Sequence, residues 1–89
     1  MSMSRKHIDA PLQPTESFGQ VVRKRRLELD ISQAELGERC GVSQEYLSGI
    51  ERGKRNPTLQ TIWILAAGLR ESPGVLLIEA EQRIGTKEN

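Results

Sequence analysis

The sequence predicts an all-α fold: a small domain of five short helices, the second and third joined by a tight turn. Three observations lead there. Apolar residues recur at helical spacing in five successive segments. The segments open on Ser or Thr residues placed to accept free backbone N–H groups, and Gly closes two of them. No stretch shows the alternation of a strand pair. Eighty-nine residues suffice for one such domain.

Residues 1–15 contain Pro11 and Pro14 and no helical period, and read as a flexible arm carrying Arg5, Lys6 and an idle His7. Residues 16–84 read as the folded domain and residues 85–89 as a frayed tail. In the first helix Ser17 and Gln20 are spaced as a capping box. Phe18, Val21, Val22 and Leu29 are placed for burial, with Arg23, Lys24 and Arg25 largely outside. Asp30 marks the end, because Asp tolerates left-handed turn geometry better than most residues.

Ser32 and Glu35 form a second capping-box pattern, opening a helix whose apolar members are Ala34, Leu36 and Cys40. Gly41 stops it and Ser43 caps the next, leaving room only for a tight turn and a steep crossing. The third helix is predicted from Gln44 to Arg52. Leu47 and Ile50 fall on one side with Tyr46 near its edge; Gln44, Glu45, Ser48, Gly49 and Arg52 fall on the other. Gly53 ends it, and the loop Lys54 to Pro57 follows. Thr58 caps a fourth helix with an inner stripe of Leu59, Ile62, Leu65, Ala66 and Leu69. Ser72-Pro73 opens a fifth, carrying Val75, Leu76, Leu77, Ile78 and Ala80 and reaching about Ile84.

Composition narrows the function. The longest apolar run, Ile62 to Ala67, is far short of the roughly 20 residues that span a bilayer, and the N-terminus lacks a signal-peptide stretch. A single Cys excludes an internal disulfide; with the single His far from it in sequence, no metal cluster is expected. Cys40 reads as a core thiol. No nucleophile–base pair or carboxylate pair converges, so an enzyme and a cofactor are not expected. The net charge of +1 announces no partner. However, Arg23–Arg26 (Arg-Lys-Arg-Arg) and Arg52–Arg55 (Arg-Gly-Lys-Arg) hold seven of thirteen basic residues. Such runs are commonly solvated faces, and their place in the fold has to decide.

The outer side of the third helix is polar and short-chained, as a helix entering a DNA major groove about 12 Å wide requires. Gln can pair bidentately with adenine and Glu can accept from cytosine. An ordinary solvent-facing helix has the same polarity, so periodicity alone leaves both readings open.

The run ISQAEL, followed by GVS, YLS, IERG and RNPTL, resembles the Cro and phage-repressor type of helix-turn-helix domain, the lambda repressor-like XRE family, from Phe18 to Leu69. The resemblance implies a five-helix DNA-binding domain with helices 2 and 3 as the DNA-binding unit. It implies base-facing positions at Ser43, Gln44, Glu45, Ser48 and Gly49. Gln33, Arg23, Arg52, Lys54, Arg55 and Asn56 fall at phosphate-contacting positions, with the minor groove open to Arg55. Arg26 and Glu51 match a structural salt bridge. This sequence departs from the family pattern in several places: Asp30 stands where Gly is usual, Gly37 where Ala is usual, and Gly49 removes a side chain that would face a base. Trp63 and Ile64 are apolar where the family is variable and often polar.

That last departure suggests a homodimer interface of Trp63, Ile64, Leu76, Leu77 and Ala80; cover by helix 5 or by the arm is the other reading. The expected function is a sequence-specific transcriptional regulator, a repressor that binds a palindromic operator as a homodimer in the cytoplasm, with double-stranded DNA as partner and neither membrane nor small-molecule effector. The competing expectation is a protein-interaction module, an antitoxin or bridging factor that uses the helix-turn-helix as a scaffold.

Overall fold

A computed structural model describes residues 13–86. Residues 1–12, with Arg5, Lys6 and His7, and residues 87–89 of the expected tail lie outside the described residues. Five helices follow in order: α1 Pro14–Glu28, α2 Gln33–Cys40, α3 Gln44–Glu51, α4 Leu59–Gly68 and α5 Pro73–Thr86. At 8 to 15 residues each, none is long enough to be stable alone, so packing must supply the stability.

α1 begins earlier than the spacing of Ser17 and Gln20 predicts. Pro14 occupies the first turn, where its missing N–H costs nothing. The Gln13 N–H donates to the Glu16 carboxylate at 3.0 Å, a negative charge favoured by the helix dipole there. Ser17 is fully buried and is no cap: its hydroxyl donates to the Ala80 carbonyl of α5. The other caps follow the sequence. The hydroxyls of Ser32, Ser43, Thr58 and Ser72 accept from the N–H groups of Glu35, Tyr46, Thr61 and Val75 at 3.0, 3.0, 3.1 and 3.2 Å. The reciprocal half of the expected Ser32–Glu35 box is not formed; the Glu35 carboxylate instead lies 3.6 Å from Arg39.

The turns are as sharp as expected. Asp30 takes φ 61° and Gly41 φ 72°. Arg70, at φ 59°, is a second non-glycine left-handed residue that no composition signal marks. Gly37 has a packing reason: a Cβ there would lie 2.8 Å from the Val42 carbonyl oxygen, because the turn into α3 folds back onto α2. The Val42 N–H donates to the Gly37 carbonyl at 2.9 Å across the same contact.

The core gathers Phe18, Val21 and Val22 from α1, Leu36 and Cys40 from α2, Leu47 and Ile50 from α3, Leu65 and Ala66 from α4, and Leu76 and Ala80 from α5, with Ile31 and Leu69 from the turns. Each large side chain fully removed from water contributes roughly 1.5–3 kcal/mol. Burial also pushes the Cys40 thiol above its ordinary range.

Several predicted core positions are outside. Ala34 is exposed, as is Leu59 at 67%. In α5 the run from Val75 to Ile78 turns 100° per residue, so it cannot all face inward. Leu76 goes in; Val75, Leu77 and Ile78 face out.

α1 packs lengthwise on α5 and against α3. Charges stitch the first contact. Arg25 reaches Glu79 at 3.0 Å and Glu71 at 3.1 Å, Lys24 reaches Glu79 at 3.0 Å, and Arg83 donates twice to Gln20 Oε1 at 3.1 and 2.9 Å. The Glu79 hydrogen bonds raise the pKa of both Lys24 and Arg25. Among the described residues no single helix is long and apolar enough to cross a membrane.

Candidate nucleic-acid interface

The orientation of α3 is fixed at its C-terminal end. Glu51 closes that helix with its side chain 2% exposed, and Arg26 of α1 meets it bidentately at 2.7 and 3.0 Å. The third Arg26 contact donates to the Ile31 carbonyl at 2.9 Å. The hydrogen bonds that the guanidinium donates to Glu51 raise the Arg26 pKa against the opposing effect of burial. The expected structural pair is therefore present. It is also shared: Gln33, the first residue of α2, donates its amide to the same Glu51 at 3.0 Å. One carboxylate thus ties α1, α2 and α3 together.

With its apolar side and its end held, α3 presents its other side. Gln44 and Glu45 are exposed and Ser48 is half-buried. Ser43 is exposed, but its hydroxyl oxygen is engaged as the cap of α3. Gly49, read from the sequence as base-facing, is buried instead. The side chain of Arg55 lies across it, so that a Cβ at residue 49 would stand 2.6 Å from Arg55 Cγ. The Arg55 guanidinium sits 5.7 Å from the centroid of the Tyr46 ring, a cation–π distance.

The two basic runs separate into structural and available charges. Of the first, Lys24 and Arg25 are paired to α5 and Arg26 is buried on Glu51, which leaves Arg23 exposed and without an ion pair among the described residues. In the second, Lys54 and Asn56 are exposed beside the end of α3, and Arg52 is exposed with Nε 3.4 Å from the Ser48 hydroxyl. Gln33 keeps one side-chain N–H and the backbone amide of the first α2 residue, at the positive end of that helix.

A short turn between two helices packed on each other, with the second showing a polar face, is the geometry of a helix-turn-helix. The family model described as helix-turn-helix matches residues 22–76. The chain belongs to the helix-turn-helix family. Repressor protein C2 of Salmonella phage P22 is 38% identical to it over 63 residues, 71% of this chain and 29% of that repressor. The clp gene regulator ClgR from C. glutamicum is 31% identical with a TM-score of 0.79, covering 84% of this chain and 95% of that one. The restriction-modification controller protein C.Esp1396I, solved as a tetramer in complex with its natural 35 base-pair operator, is 28% identical with a TM-score of 0.75, covering 83% of this chain and 97% of that one. The chain spans about half the length of the first curated helix-turn-helix regulators it matches.

The expected dimer residues divide in two. Leu76 and Ala80 are buried in the core of this helix-turn-helix domain, 0% and 7% exposed, and are not free to face a partner. They form the inward i, i+4 stripe of α5. Trp63, at 55%, and Leu77, at 40%, are exposed, while Ile64 is half-buried against the core. Leu59, Gln60, Trp63, Ile64 and Ala67 line a shallow groove of about 560 Å³ on the outer face of α4. Leu59, expected on the inner stripe of α4, instead stands beside Trp63 in this groove.

Proposed function

We propose that this helix-turn-helix protein is a sequence-specific DNA-binding transcriptional regulator, a repressor that occupies a palindromic operator as a homodimer in the cytoplasm. The observation that carries this reading is the outward polar side of α3, with Gln44 and Glu45 exposed and Ser48 half-buried on a helix whose direction is held by the buried Arg26–Glu51 pair. Such a helix enters a major groove with amide and carboxylate groups at base edges. Arg23, Arg52, Lys54 and Asn56, with the half-buried amide end of α2 at Gln33, serve as its phosphate contacts, which position the protein without reading sequence. The operator complex of C.Esp1396I and the repressor name of the phage P22 relative favour the same direction.

One module reads only a few base pairs, so affinity requires a second copy about 34 Å along the duplex. The outer face of α4, with Trp63 and Ile64, and Leu77 of α5 supply apolar surface for that copy. Selection of bound sequences from a random double-stranded DNA pool tests the reading. The expected result is one enriched palindrome with half-sites about one helical turn apart. Uniform, salt-dependent binding to all sequences would instead favour an interaction module that uses the fold as a scaffold.

A further inference from the structure

α3 carries no side chain at Gly49, yet the space beside it is filled. A Cβ built there would meet Arg55 Cγ at 2.6 Å and Nε at 3.5 Å, so the arginine stem lies where residue 49 would project. The guanidinium continues to the Tyr46 ring, 5.7 Å from its centroid. Tyr46 and Gly49 are three residues apart and share a flank of the helix. The loop arginine therefore runs along α3 toward its N-terminal half, the part of a reading helix that meets base edges. The Lys54 N–H, bonded to the Gly49 carbonyl at 2.8 Å, anchors the root of the loop at the same place. A cation that only neutralises phosphate needs no such seat, because a mobile point charge serves. An oriented guanidinium plane matters where two acceptors must be met together, as at O6 and N7 of guanine.

We infer that Arg55 is a specificity-determining residue, which reads a guanine beside the bases faced by Gln44 and Glu45. Gly49 is the notch that admits its stem and Tyr46 the platform under its guanidinium; both are positioning residues. This role presupposes the DNA reading proposed above.

The test passes the wild type, Arg55→Ala, Arg55→Lys and Gly49→Ala through the same random-pool selection. Each protein is then titrated on the wild-type site and on a site with the implicated G·C pair changed to A·T. The wild type is expected to enrich a guanine in each half-site that Arg55→Ala does not. Arg55→Ala should bind the wild-type site about tenfold more weakly while losing little on the changed site. Arg55→Lys, with its charge intact, should resemble Arg55→Ala. Gly49→Ala should show the same loss while melting as a folded helical protein. Equal weakening of Arg55→Ala on every sequence, a wild-type preference in Arg55→Lys, or an unchanged preference in Gly49→Ala would each overturn the assignment. A wild-type protein that enriches no sequence removes the DNA-reading function itself and this role with it. A wild-type site that Arg55→Ala still prefers removes only the role of Arg55.

Discussion

Glu51→Ala is the most severe single change that the interface predicts. It removes a carboxylate whose side chain is 2% exposed and leaves the Arg26 guanidinium, 9% exposed, with the Ile31 carbonyl as its remaining protein partner. An uncompensated buried charge of this kind costs about 3–5 kcal/mol. At about 0.05–0.15 kcal/mol per residue, the whole 89-residue chain holds roughly 4–13 kcal/mol. The variant should therefore lose about a quarter or more of its stability, and its melting temperature should fall by roughly 12–40 °C at about 4–8 °C per kcal/mol. The control removes both charges. Arg26→Met with Glu51→Leu leaves no buried ion and costs only the donor lost by the Ile31 carbonyl and the acceptor lost by the partly exposed Gln33 amide, about 1–3 kcal/mol. Urea unfolding followed by circular dichroism measures both. A loss below about 1 kcal/mol in Glu51→Ala, or a double variant as unstable as the single one, would refute the reasoning.

Gln44→Ala should cost about 1–3 kcal/mol on the selected site and relax preference at one position per half-site, measured by fluorescence anisotropy on single-substitution duplexes; equal loss on every duplex would contradict base reading. Trp63→Asp should sediment as a 10.0 kDa species at concentrations where the wild type sediments at twice that mass, since it places a charge within the apolar groove of α4; an unchanged sedimentation profile would exclude this face. The pH dependence turns on Glu79. Burial draws its carboxyl upward, but the hydrogen bonds from Lys24 and Arg25 outweigh this and hold it below its ordinary 4.5. A folded-state value below the unfolded one means that the contribution is complete above 4.5 and fades as pH falls through the folded value. Urea midpoints should thus be level near neutrality and decline in acid, and Glu79→Gln should flatten part of that decline; an identical acid slope in the variant would assign the loss elsewhere.

The helix order was legible because its signals are local. Ser32, Ser43, Thr58 and Ser72 cap by hydrogen bonds to residues three positions on, and Gly41 needs only its own φ. The Arg26–Glu51 pair, 25 residues apart, was accessible only through the family resemblance, since no periodicity links a residue of α1 to one of α3. What failed depended on contacts distant in sequence. Ser17 has the spacing of a cap but is claimed by Ala80, 63 residues later. Leu76 and Leu77 are adjacent and alike in hydropathy, and only the position of α1 against α5 sends the first inward and the second outward. Lys24 and Arg25 read as outward-facing charge until Glu71 and Glu79 are brought beside them. The covering of Gly49 could not be anticipated, because a loop six residues downstream folds back over the helix.

The carboxylate shared by Arg26 and Gln33 has a consequence for how the protein meets its target. With the first three helices clamped at one point, the proposed DNA-binding module would dock as a rigid body and lose little internal freedom on binding. It also has little slack to offer. If two copies bind as proposed, a mismatch between their spacing and the pitch of a duplex would have to be absorbed by bending or twisting of the nucleic acid, and the stiffness of the uncontacted central base pairs would enter the choice of site.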